Sequence, residues 1–244
     1  MGSPALITSE PEVVVGPDGL PRLSQAYLDA YERFMQTLVT EDDRPVDNVF
    51  SAVQAHLLVD ALYASWKHPR FGRRFIAIGN VGVFYAFHQP PVVPDMFLSL
   101  DVVPPADLWK KTGRSYFIWE YGKPPEVVVE IVSNTEGGEE ALDGKLGIYG
   151  RMKVEHYVVY DPGQQTGSEP LRVYALQAGR LVRTDETWFD DIGLGVTLWR
   201  GQYRGCEDTW LRWCNRDGAV IPTGEERAER LAAKLRAAGI DPDA

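Results

Sequence analysis

The 244 residues carry 35 acidic against 25 basic side chains, a formal charge of −10, with 44% hydrophobic and 11% aromatic content. This is ordinary globular composition with enough apolar material for one sizeable core, and the acidic balance excludes loose electrostatic attraction to a polyanion while leaving room for a local basic site. No apolar run approaches the roughly 18 residues of a membrane-spanning helix, and MGSPALITSEPE has neither the basic region nor the apolar stretch of a secretory signal, so a cytoplasmic location is expected.

In chain order, residues 1–22 are rich in Pro, Gly and acids and read as a loosely held arm. LSQAYLDAYERFMQTLV reads as a helix capped by Ser24, with Leu28, Tyr31, Met35 and Leu38 at three- and four-residue steps. DNVFSAVQAHLLVDALYASWKH reads as a second, with Asp47 at its start and a stripe of Phe50, Val53, Leu57, Ala61 and Ala64. The period then shortens to β-type runs, RFIAIG, VGVFYAF, PDMFLSL, SYFIWE and EVVVEIV, expected in one sheet. GGEEALDGKLGIYGRM reads as a helix and VEHYVVYDP as a strand, an order that predicts a crossover unit. LRVYALQAGRLVR predicts a hairpin turning at Ala178-Gly179, and GEERAERLAAKLRAAG a charged final helix stopped by Gly239. Cys206 and Cys214 match neither a metal knuckle nor a redox pair and read as packing residues, and no two of the four histidines have metal-ligand spacing. Trp199, Trp210 and Trp213 read as a packed aromatic cluster rather than a base-stacking platform. The basic clusters are Lys67 to Arg74, Lys110-Lys111 with Arg114, and the tail arginines, each read first as a solvated face.

Two residues break the apolar pattern. Strand alternation puts Glu126, Val128, Glu130 and Val132 on one face, so Glu130 stands mid-strand among β-branched aliphatics. On the following helix, Leu142, Lys145, Ile148, Tyr149 and Met152 share one side, which turns Lys145 toward the sheet. A buried carboxylate or ammonium costs several kcal/mol unless paired or liganded. A simple ion pair would answer that requirement, but Asp95, on the face of Phe97 and Ser99, adds a second acid. Two carboxylates on neighbouring strands with a lysine over them suit a Mg²⁺ site that works on phosphodiesters.

The ordered set "VPD" at 93–95, "PPEVVVEIVS" at 124–133, "KLGIY" at 145–149 and "VEHYVVYDP" at 154–162 resembles the bacterial Uma-two family, classed with the restriction endonucleases in the PD-(D/E)XK nuclease superfamily. The likeness is read from about residue 40 into the C-terminal helix. It implies an α/β (α+β) fold, a restriction-endonuclease-like core with a curved mixed β-sheet flanked by helices. It also implies a Mg²⁺- or Mn²⁺-dependent endonuclease acting on DNA, with Asp95 and Glu130 as metal ligands and Lys145 completing the catalytic set. The superfamily lysine two positions after the second acid is Val132 here, and Lys145 on the following helix matches the position this family uses instead. Asp47 is the nearest match to a further acid at the start of the first core helix. The expected organisation is an arm at 1–22, a nuclease domain at 23–205, and a Trp-rich segment with the charged helix at 206–244. The alternatives are a catalytically inactive binding or assembly module retaining the nuclease fold, favoured by Val132 and the acidic charge, and a metal-free acid/base pair acting on a glycosidic bond. A two-fold homodimer through the C-terminal helix and the segments near Trp210 and Trp213 is a further expectation.

Overall fold

The computed structural model describes residues 12–38, 48–70, 72–135, 138–141 and 144–242. They fall into two compact units, 1–44 with 105–115 and 45–104 with 116–244. In the smaller unit, β1 (Val13–Val15) and β2 (Pro21–Leu23) pair antiparallel where a loose arm is expected. α1 (Gln25–Thr37) follows, its N-cap Ser24 accepting from the Tyr27 N–H as the sequence predicts. Its buried side is Phe34 and Met35, while Leu28 is exposed.

The larger unit runs α2 (Val49–Ser65), β3 (Phe75–Ile78), β4 (Val83–Phe84), β5 (Met96–Leu100), β6 (Tyr116–Phe117), α3 (Ile118–Tyr121), β7 (Val127–Ile131), α4 (Lys145–Met152), β8 (His156–Tyr160), β9 (Leu171–Gln177), β10 (Arg180–Thr184), β11 (Trp188–Phe189), β12 (Leu194–Tyr203), β13 (Cys206–Cys214) and α5 (Gly224–Ala237). Six of these strands form one mixed sheet in the order β10-β9-β8-β7-β5-β3. Its parallel pair is β7–β8, joined through α4, which is the predicted crossover. The hairpin β9–β10 turns at Ala178 and Gly179, both with positive φ, the backbone twist a two-residue turn needs.

β7 is covered on both sides, and its alternation sorts the core into two layers. Val127, Val129 and Ile131 pack with Ala55, Leu58 and Leu62 of α2, whereas Val128 and Val132 pack with Leu146, Tyr149 and Met152 of α4. The sheet is thus flanked by helices on opposite faces. The N-cap of α2 is Asn48, whose side chain accepts from the Ser51 N–H.

Three elements depart from the sequence pattern. β4 and β6 leave the main sheet as a separate parallel pair, and SYFIWE turns helical after Phe117. Helix α4 begins only at Lys145, whereas a helix from 137 is expected; Lys145 donates its N–H to the Gly138 carbonyl across a folded-back loop. The two longest strands among the described residues, β12 and β13 of the Trp-rich segment, form where no strand is expected, since their apolar residues are interrupted by charges that the fold buries or pairs. Gln54 of α2 meets β13 like an added strand edge, exchanging hydrogen bonds with both the N–H and the carbonyl of Leu211. Trp210 and Trp213 are 2% and 0% exposed, so they are core as expected of a packed cluster, and they offer no surface for a dimer. Cys214 is buried and Cys206 exposed. No helix among the described residues is long and apolar enough to cross a membrane.

Candidate active site

Glu130 lies in the middle of β7, between β5 and β8, and is fully buried. Both of its oxygens are held from α4. Lys145 Nζ donates to Oε2 at 2.7 Å, and the Tyr149 hydroxyl, one helical turn on, donates to Oε1 at 2.5 Å. Each oxygen keeps a second lone pair. Gly138 can lie against the start of the helix because Gly144 has no side chain; a Cβ there would stand 2.3 Å from the Gly138 carbonyl oxygen.

Asp95 enters from the start of β5. Its Oδ2 accepts the main-chain N–H of Ile131 at 2.7 Å, continuing the β5–β7 ladder beyond the Met96–Val129 pair with a side-chain acceptor. This fixes Asp95 against the residue that follows Glu130. The neighbouring strand approaches closely at this point, since a Cβ on Gly79 would lie 2.6 Å from the Asp95 carbonyl oxygen. The structure therefore brings Asp95, Glu130 and Lys145 together. Asp47 lies outside the described residues. Tyr149 completes the set and is absent from the sequence-derived site, although its four-residue spacing from Lys145 inside KLGIY is the signal that identifies it.

The electrostatics follow from burial. Loss of water pushes the Glu130 carboxyl up to about 8, with Asp95 adding to the rise and Lys145 and Tyr149 opposing it. Burial pulls the Lys145 ammonium down, but the carboxylates of Glu130 and Asp95 outweigh that and hold it above its ordinary range. The Tyr149 phenol is raised by burial and by the adjacent Glu130. Val132, two residues after Glu130, is 2% exposed and packed in the apolar layer with Tyr149. Its place leaves Lys145 as the ammonium at Glu130.

A second acid-rich group occupies the opposite end of this strand pair. His156, opposite Val127, shares its Nε2 between the two Asp191 oxygens at 2.9 and 3.0 Å, and Glu155 lies close by. Burial and the proximity of Asp191 push Glu155 up to about 7. Linear spacing conceals this group because Asp191 comes from the distant turn after β11.

The Uma2 family, described as "Putative restriction endonuclease", matches residues 41–192, more than half of the chain. The chain belongs to the Uma2 family. A search of curated proteins finds no match. The matched span contains Asp95, Glu130 and Lys145, and with them the mixed sheet of a restriction-endonuclease-like α+β fold. It stops at residue 192, so β12, β13 and α5 lie beyond it, and the likeness read into the C-terminal helix is not part of the match.

Proposed function

We propose that this Uma2 member is a metal-dependent endonuclease that hydrolyses DNA phosphodiester bonds, with Asp95 and Glu130 as ligands of Mg²⁺ or Mn²⁺ and Lys145 beside the reacting phosphate. The observation that supports this most is Glu130, a carboxylate buried in a central strand, held at both oxygens and adjacent to a second carboxylate. The donor set fits a hard divalent cation, because proximity to Asp95 and burial both disfavour an ionised Glu130, and a cation is what would let the two carboxylates ionise together. Such an ion, when bound, polarises a phosphodiester and acidifies its own water.

This chain's residues supply the rest. Tyr149 and Lys145 prevent Glu130 from rotating, and the Ile131 N–H does the same for Asp95. The Lys145 side chain is one-third exposed, so its remaining N–H groups can meet a phosphate oxygen from solvent and stabilise the charge that grows on it.

The test is Glu130→Gln, neutral and similar in shape. It should abolish Mn²⁺-dependent cleavage of plasmid DNA and the Mn²⁺-induced rise in melting temperature, while melting at or above the wild type without metal. The inactive-module reading, which draws on Val132, forecasts the opposite. There Glu130 is only the partner of Lys145, the variant melts several degrees lower, and neither protein responds to Mn²⁺.

A further inference from the structure

Two basic clusters far apart in sequence meet in the larger unit. A hollow of about 480 Å³ lies between the C-terminal end of α2, the segment leading into β3, and α5, and its wall carries Lys67, Arg73, Arg227, Arg230 and Lys234. The three α5 cations are spaced i, i+3 and i+7, which places them on one helix face. Among the described residues, no carboxylate lines the hollow. Glu226 of α5 binds the buried Arg212 through both oxygens and closes the capping box with Thr223, while Arg230, one helical turn on, lies near enough to act on its charge.

Two of the five cations have a structural task. Arg227 donates to the Ala64 carbonyl at 2.8 Å and Arg73 to that of Tyr63, so they satisfy carbonyls of the last turn of α2. A guanidinium has five N–H donors, and holding one carbonyl leaves it oriented with others to offer. Capping does not account for Lys67, Arg230 and Lys234. Their convergence on the same hollow, in a protein of charge −10, raises a local repulsion that a multiply charged anion would relieve.

The hollow is also separate from the acidic site. α2 packs on the sheet face opposite α4, and the β3–β5 register of Phe75 with Leu100 and Ile78 with Phe97 puts Arg73 at the strand end remote from Asp95. A DNA strand engaged at Glu130 therefore does not explain it. Its volume falls within the range of small-molecule sites, and Leu231 and Pro222 add an apolar margin to the cationic wall. We propose that this hollow binds a small polyphosphate anion, either inorganic or the phosphate chain of a nucleotide, at a site distinct from the candidate active site. Half of the wall comes from α5, beyond the part of the chain that matches the family.

The probes are inorganic triphosphate, adenosine triphosphate and a short DNA duplex, each without divalent metal, with binding read by calorimetry and melting temperature. Triphosphate should raise the melting temperature of the wild type, less so as salt rises. The triple variant Lys67→Ala, Arg230→Ala, Lys234→Ala spares both capping arginines, should melt like the wild type alone, and should bind triphosphate at least tenfold more weakly. A charge-matched control, Lys110→Ala, Lys111→Ala, Arg180→Ala, should bind as the wild type does. Equal affinity for both phosphates assigns recognition to the phosphate chain, and a preference for the nucleotide assigns it to the nucleotide; either supports the proposal. It is overturned if triphosphate does not bind, if the control loses as much affinity as the triple variant, or if only the duplex binds the hollow.

Discussion

At the scale of the residue, the decisive feature is a carboxyl group kept where water cannot reach it. Because folding raises the Glu130 pKa from 4.5 to about 8, the folded state holds this proton more tightly than the unfolded one. The associated stability is therefore fully present below about pH 4.5 and is lost as pH rises toward 8. Metal-free wild type should lose a few kcal/mol relative to Glu130→Gln between about pH 5 and pH 8, since each tenfold gain in proton affinity on folding is worth about 1.4 kcal/mol. Denaturant titrations of both proteins in chelator at the two pH values check this, and parallel losses would refute it. Stabilisation by Mn²⁺ should show the converse trend and grow over the same interval, because ligation requires the deprotonated carboxylate.

At the scale of the element, the site depends on how closely β3 and β5 run beside Asp95. Gly79 permits that approach, and Gly79→Ala would drive a methyl group to 2.6 Å from a main-chain oxygen that has no way to swing aside. The expected result is a loss of about 1–3 kcal/mol by overpacking, together with a weakened thermal response to Mn²⁺. Gly82 is the control, since its added Cβ would find its nearest neighbour, in Pro91, at an ordinary 3.5 Å. If Gly79→Ala behaves like Gly82→Ala in melting experiments, this close approach is not what positions Asp95. The late start of α4 belongs to the same scale. Beginning at Lys145, the helix presents Lys145 and Tyr149 in its first two turns, so the ammonium and the phenol reach the two oxygens of one carboxylate.

At the scale of the whole molecule, the segment after residue 192 is bound into the core of the larger unit. β13 contributes Leu211 and Trp213 to the α2 layer, Trp213 donates to the Leu58 carbonyl at 3.0 Å, and Arg212, 1% exposed, is neutralised by Glu226 of α5. Glu226→Ala removes both that partner and the capping box. It should cost about 2 kcal/mol, the scale of a hydrogen bond to a buried charge, with Glu226→Gln recovering part of the loss. A melting temperature unchanged by Glu226→Ala would mean that α5 is an independent appendage.

The sequence by itself determined the alternation of β7, the crossover through α4 and the convergence of Glu130 with Lys145, because each depends on local periodicity: two residues per strand repeat and three to four per helical turn. The order of motifs likewise carried the family. Only the tertiary structure decided where α4 begins, since Gly144 and the folded-back Gly138 carbonyl act through space. Only it revealed β12 and β13, whose charged residues look solvated until Arg212 meets Glu226 and Trp199, whose ring lies 4.9 Å from the guanidinium. The same holds for the His156–Asp191 pair and for the cationic hollow. Their partners lie 35 residues apart in the one case and on opposite sides of the matched region's end in the other, distances over which periodicity carries no information.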